Sequence, residues 1–156
     1  MDLILWRHAE AQPEREGLDD LQRALTPKGE RQAARMADWL NHRLAQSTRI
    51  LVSPAVRCQQ TAKALGRPFK TLPSIAPDVP AEAVIKAARW PDSNEPVLVV
   101  GHQPTLGLVM ARLLADVDQS WAIKKSAVWW LRQREREEEA QVVLQAVQSG
   151  GVLWGG

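Results

Sequence analysis

The 156-residue sequence has only one cysteine, Cys58, so no disulfide can form within the chain. That usage suits a reducing compartment. Charge of one sign is not in surplus either. Twenty Lys and Arg stand against eighteen Asp and Glu, for a formal charge of +2. A chain so balanced gives no electrostatic case for nucleic acid or an anionic membrane surface as partner. No apolar run approaches bilayer-spanning length. The first apolar stretch, Leu3 to Trp6, has no basic leader and runs straight into Arg7 and His8, which is not the pattern of a secretory signal. Internal repeats and low-complexity tracts are missing too. The expectation is a cytoplasmic monomer with neither membrane nor nucleic-acid partners.

What is present is a globular composition, 45% hydrophobic, in a chain long enough to bury a core without disulfides or a structural metal. One domain over residues 1–156 is the expectation. Three short apolar runs, Leu3 to Trp6, Ile50 to Val52 and Val97 to Val100, read as strands covered on both faces, because their hydrophobicity is continuous rather than alternating. Helical patterns separate them. Thr26 and Pro27 open a helix whose stripe is Ala33, Met36, Ala37, Leu40 and Leu44. Ser53-Pro54 repeats that start signal before Ala55, Cys58, Ala62 and Leu65. Ala81, Val84, Ile85 and Ala88 predict a third helix, closed by Pro91. Leu106, Val109, Met110, Leu113 and Leu114 predict a fourth.

A short strand is expected near Phe69 to Leu72. Two more, Ala127 to Leu131 and Val142 to Val147, flank the charged run Arg132 to Glu139, which reads as a solvated turn. The tail from Gly150 to Gly156 reads as frayed. Together these predict a three-layer α/β/α fold, with a mainly parallel sheet and an antiparallel edge.

The chemistry gathers after the strands. Arg7-His8 follows the first, Ser53 to Arg57 the second, and Gly101-His102 the third. Ligands of open parallel sheets bind outside the carboxyl ends of the strands, so these residues converge on one edge. Arginine matches phosphate oxygens with a planar fork and keeps its charge. The helix starts after Ser53 and His102 can add N–H donors. A neutral His8 nitrogen can attack phosphorus and form a covalent intermediate, while Arg7, Arg57 and His102 stabilise the charge that shifts onto oxygen. Singly, each residue has a plainer explanation: His8 as a satisfied strand-end histidine, Arg57 as a surface helical residue, His102 as part of a turn. Their joint placement favours the phosphoryl reading. Cys58 reads as a small packed hydrophobe, and His42 as a surface residue.

Leu3-Ile4-Leu5-Trp6-Arg7-His8-Ala9-Glu10-Ala11 resembles the opening motif of the histidine phosphatase superfamily, in the form found in SixA-like phosphohistidine phosphatases. Leu25-Thr26-Pro27-Lys28-Gly29, then Leu51-Val52-Ser53-Pro54 with Arg57 and Gln60-Thr61, then Val100-Gly101-His102-Gln103-Pro104 resemble the next three motifs, in order. Gln103 stands where asparagine is usual. The resemblance implies a phosphoglycerate-mutase-like fold, His8 as nucleophile, and Arg7, Arg57 and His102 around the phosphate, with no metal and no cofactor. It also places Asp20 and Arg23 where relatives carry an acid and an arginine; a structural ion pair explains them equally. For the general acid of an ester-cleaving member it points to Asp78 or Glu82, which can instead serve as an N-cap and a first-turn acid of the third helix.

An imidazole leaving group, with a pKa near 6.5, needs protonation far less than an alkoxide. With that, the resemblance to the SixA-like phosphatases implies a phosphohistidine-bearing protein as the expected substrate. The alternatives are a phosphomonoesterase acting on a small phosphorylated metabolite or cofactor, and, in another class, a phosphate-binding interaction module without turnover.

Overall fold

The computed structural model describes residues 1–136 and 139–150. A six-stranded sheet forms its middle layer. In chain order the elements are β1 (Asp2–Arg7), α1 (Pro27–Asn41), β2 (Arg49–Val52), α2 (Val56–Lys63), β3 (Lys70–Thr71), α3 (Ala81–Ala88), β4 (Val97–Gly101), α4 (Thr105–Ala115), β5 (Val128–Arg136) and β6 (Glu139–Gln148). Short 3-10 turns cover Asp20–Gln22 and Pro73–Ile75. Across the sheet the order is β3-β2-β4-β1-β5-β6. The four strands β3, β2, β4 and β1 pair in parallel, and β5 and β6 add an antiparallel edge. This is the mixed α/β architecture expected.

Strand periodicity sorts the core into two layers. Leu3, Leu5, Leu51, Val97 and Val99 pack with Val84, Ala88, Leu106 and Met110 of α3 and α4. Ile4, Trp6, Ile50, Val52, Leu98 and Val100 pack with Met36, Leu40, Cys58 and Ala62 of α1 and α2. Both faces are covered, which is why these strands carry no polar alternation. In α1, Thr26 Oγ1 accepts the Gly29 N–H at 2.9 Å, the cap its sequence predicts. Gly29 lies against the segment that follows β1: a Cβ there would stand 1.9 Å from the Glu10 carbonyl oxygen.

Four local expectations change. Ser53 does not cap α2; the N-cap is Ala55, without a side-chain bond, because the Ser53 hydroxyl is engaged with His102. Helix α1 ends at Asn41, so Leu44 is buried just beyond it rather than on its stripe. Asp78 does not cap α3, whose N-cap is Pro80. The charged run is mostly strand: β5 continues to Arg136 and β6 begins at Glu139, since cross-strand pairing carries polar residues out to the sheet edge. Residues 137–138, within the expected turn, and the tail beyond Gly150 lie outside the described residues. No helix among the described residues is long and apolar enough to cross a membrane.

Candidate active site

Register brings the predicted residues together. Arg7 pairs with Gly101, and Val52 pairs with Val100. The residues that leave β1, β4 and β2 at their carboxyl ends, His8, His102 and Ser53, therefore emerge side by side. A pocket of about 190 Å³ opens there, with Arg7, His8, Arg57 and His102 in its wall. Asp20, Arg23 and Asp78 line it as well. Glu82 does not. It is exposed on α3 and paired with Arg112, whose hydrogen bond holds its carboxyl below the usual range. Of the two candidate acids, only Asp78 is placed at the pocket.

His8 is buried, and its ring is oriented by the backbone. Nδ1 lies 2.7 Å from the Ala9 carbonyl oxygen. A carbonyl only accepts, so in the neutral ring Nδ1 carries the proton and Nε2 the lone pair. Among the described residues Nε2 has no hydrogen-bond partner. The backbone holds the residue on three sides: His8 N–H donates to the Gly101 carbonyl, the Ser126 N–H donates to the His8 carbonyl, and the Arg7 N–H donates to the Ala127 carbonyl.

His102 takes the opposite tautomer. The Arg57 guanidinium, which only donates, lies 3.4 Å from Nδ1. Nδ1 therefore accepts, and Nε2–H donates to the Ser53 hydroxyl at 2.7 Å. Cys58 Sγ sits beneath the same ring, 3.4 Å from Nε2. Burial pushes its thiol up to about 12, against the pull of Arg57, so it is a packing group and not a thiolate.

The guanidiniums are held from outside. Arg7 Nη1 donates to the Ile123 carbonyl at 2.8 Å. Arg57, almost fully buried, donates from Nη1 to the Asp20 carbonyl at 2.7 Å and from Nη2 to the Asp20 carboxylate at 3.0 Å. Arg23 Nε donates to the other Asp20 oxygen at 2.8 Å. Burial alone would raise the Asp20 carboxyl, but the hydrogen bonds from Arg23 and Arg57 hold it below the usual range. Asp20 is thus an ionised bracket for two arginines. Arg7 Nε and Arg57 Nε remain buried without a partner. Donor groups in that state fit an oxyanion. The described residues contain no group of three or more His, Cys, Asp or Glu placed to hold a metal ion.

Both imidazoles are neutral at ordinary pH. Burial is the main cause, and the nearby arginines add to it, taking His8 down to about 4; for His102, burial and then His8 and Arg57 take it to about 3. Their imidazole carbon and nitrogen NMR signals are expected to keep neutral positions from pH 8 down to pH 5. The sign for stability follows. Between the folded values and about 6.5, the unfolded chain binds protons that the folded one refuses. Their stabilisation is complete above about pH 6.5 and is lost as pH falls toward 4. Melting temperatures should therefore drop between pH 7 and pH 4.5. Titration of either ring near 6.5 in the folded protein would contradict this.

Several residues around the site carry little or no sequence signal. The Ser53 hydroxyl fixes the His102 ring, a role its Ser-Pro helix-start pattern does not announce. Lys125 lines the pocket, and Ile123 and Ser126 brace Arg7 and His8 through backbone atoms that no motif encodes. The one available signal was the Lys124-Lys125-Ser126 run just ahead of β5. Ser126 adopts a positive φ of 61°, which turns this loop back against His8.

Comparison with known proteins bears on the family of the chain. Residues 3–79 match the histidine phosphatase superfamily, branch 1. The phosphohistidine phosphatase SixA of Escherichia coli is 30% identical over 121 residues, covering 72% of this chain and 74% of that one. A solved structure of the protein histidine phosphatase SixA in complex with tungstate superposes with a TM-score of 0.78 at 24% identity, over 96% of this chain and 97% of its own. A phosphoserine phosphatase from Entamoeba histolytica, solved with 3-phosphoglyceric acid, superposes with a TM-score of 0.73 at 16% identity, over 97% and 98%. The ordered motifs, the shared fold and the converged arginine–histidine pocket make this chain a member of the histidine phosphatase superfamily and a phosphatase.

Proposed function

We propose that the protein is a protein phosphohistidine phosphatase that works through a phosphorylated His8. One observation carries the mechanism: the Nδ1–H of His8 is committed to the Ala9 carbonyl, which leaves the Nε2 lone pair for phosphorus. In the first step Nε2 attacks the phosphorus. The P–N bond to the substrate imidazole breaks, and the leaving nitrogen keeps the electron pair and takes a proton from solvent. In the second step water attacks the phosphorus, the P–Nε2 bond breaks, and inorganic phosphate leaves with His8 neutral again. Arg7 and Arg57 hold the equatorial oxygens throughout. A phosphoryl dianion beside His102 raises the affinity of that ring for a proton, which lets Nδ1 donate to an oxygen instead of accepting from Arg57.

The choice of phosphohistidine rests on the leaving group and the similarity to SixA. An imidazole departs with little help from an acid. Of the two candidate acids, Asp78 is exposed on the pocket wall, and Glu82 is engaged elsewhere. The chain from Pro68 to Pro96 is taken up by β3, a 3-10 turn and α3 packed on α4, which leaves little length for a lid over a small substrate. A protein-borne phosphohistidine suits such a mouth. We place the enzyme in the cytoplasm, acting as a single-domain monomer without a metal or cofactor.

Asp78→Asn separates this reading from the phosphomonoesterase one. Phosphohistidine turnover in the variant is expected to stay within about threefold of the wild type, because no proton need be delivered to the leaving group. A loss of 10²-fold or more, with phosphate esters turned over faster than phosphohistidine by the wild type, would instead identify an esterase using Asp78 as its acid.

A further inference from the structure

A second cleft lies at the other end of β2 from Ser53. Its position follows from the sheet register. Leu51 pairs with Lys70, so their side chains share a face of the sheet. Arg49, two residues before Leu51, shares it too. Leu51 packs there with Val84 and Ala88 of α3, and that helix ends at Arg89. Arg49, Lys70 and Arg89 all line one cleft of about 450 Å³ at the amino end of β2, with Thr48, Pro68 and Phe69. None of its lining residues is acidic.

Three observations make this more than a scatter of surface cations. Arg49 Nη1 is buried and has no hydrogen-bond partner. A buried donor left unpaired is destabilising, and an oxygen acceptor would relieve it. Among the described residues, no carboxylate forms an ion pair with Arg49, Lys70 or Arg89. Arg89 also has φ 52° and ψ 32°, a left-handed helix end that glycine adopts freely and an L side chain does not. An arginine stands at that strained position, and its side chain lines the cleft.

We propose that this cleft is a second anion site, separate from the phosphatase pocket, which takes a small phosphate-type polyanion on Arg49, Lys70 and Arg89. Arginine and lysine give charge-assisted donors to phosphate oxygens. Phe69 and Pro68 offer an apolar wall to any organic part of the ligand.

Amide NMR of the full chain titrated with inorganic pyrophosphate tests this, because the two sites share no residue. Saturable shifts are expected at Thr48 to Leu51, Lys70 and Arg89, with a midpoint different from that at His8 and Arg57. Arg49→Gln should weaken cleft binding about tenfold or more while leaving pocket shifts and phosphatase turnover unchanged. Arg89→Gln, at an exposed side chain, should do the same without endangering the fold. ATP in place of pyrophosphate separates the sources of the phosphate: tighter binding of ATP marks a nucleotide-like ligand, and equal binding marks the phosphates alone. Both support the site. Shifts confined to the phosphatase pocket, cleft binding untouched by both variants, or tighter binding of hexaglutamate than of either phosphate probe would overturn it.

Discussion

Replacing His8 with alanine is expected to lower phosphohistidine turnover by about 10⁴-fold or more, with the fold intact. The size follows from what the residue does. Without Nε2 no P–N bond can form, and water must attack the substrate directly in a pocket that can still bind it. The remaining catalysis is what Arg7, Arg57 and His102 supply by binding the oxyanion. The fold should survive because His8 is held mainly through its backbone: its N–H and carbonyl bond Gly101 and Ser126 whatever the side chain. The lost side-chain contacts are the bond to the Ala9 carbonyl and a tilted ring contact with His102, 5.4 Å between centroids. His8→Gln is the sharper control, since it is polar and of similar size but cannot form the covalent intermediate. Steady-state rates with a phosphohistidine-bearing domain check both, and turnover within tenfold of the wild type in either variant would remove His8 from the mechanism.

Arg57→Ala is expected to cost about 10²–10³ in kcat/KM. Arg57 is the most deeply buried of the pocket cations, at 3% exposure, and it reaches three things: the Asp20 bracket, Nδ1 of His102 and the pocket itself. Its loss removes an oxyanion donor and lets the His102 ring drift. Arg57→Lys should recover only part of the activity, because an ammonium cannot reach Asp20 and a phosphoryl oxygen at once. Asp20→Asn keeps the shape of the bracket and loses its charge, so its loss should be smaller than that of Arg57→Ala. Equal losses in the two would mean that Arg57 contributes only when the Asp20 carboxylate holds it. Inhibition by inorganic phosphate measures the binding part separately and should weaken in both Arg57 variants.

Much of this site was legible in the sequence, for a physical reason. His8, Ser53 and His102 each follow a continuous apolar run, and a parallel sheet covered on both faces brings the ends of such runs together. Arg57 was legible because it stands in the first turn of a helix that leaves one of those ends. The bracket role of Asp20 was not, since one acid before a helix can pair with any nearby cation, and only the 3-10 turn brings it to Arg57. Ser53 misled because the Ser-Pro pair is also a helix-start signal; a buried histidine nearby competes for the same hydroxyl and wins. Glu82 was a candidate by position along the chain alone, and one helical turn is enough to point a side chain away from the pocket. The length of β5 and β6 was missed because their outer halves are polar, and paired edge strands need no core beneath them.

The central claim is that the phosphoryl group passes through Nε2 of His8. Mixing the protein rapidly with a labelled phosphohistidine-bearing domain, quenching in alkali to preserve P–N bonds and mapping the label tests it most directly. The account predicts label on the peptide that contains His8, formed at least as fast as phosphate is released and absent in His8→Gln. Full turnover with no label on His8 at any time would contradict it.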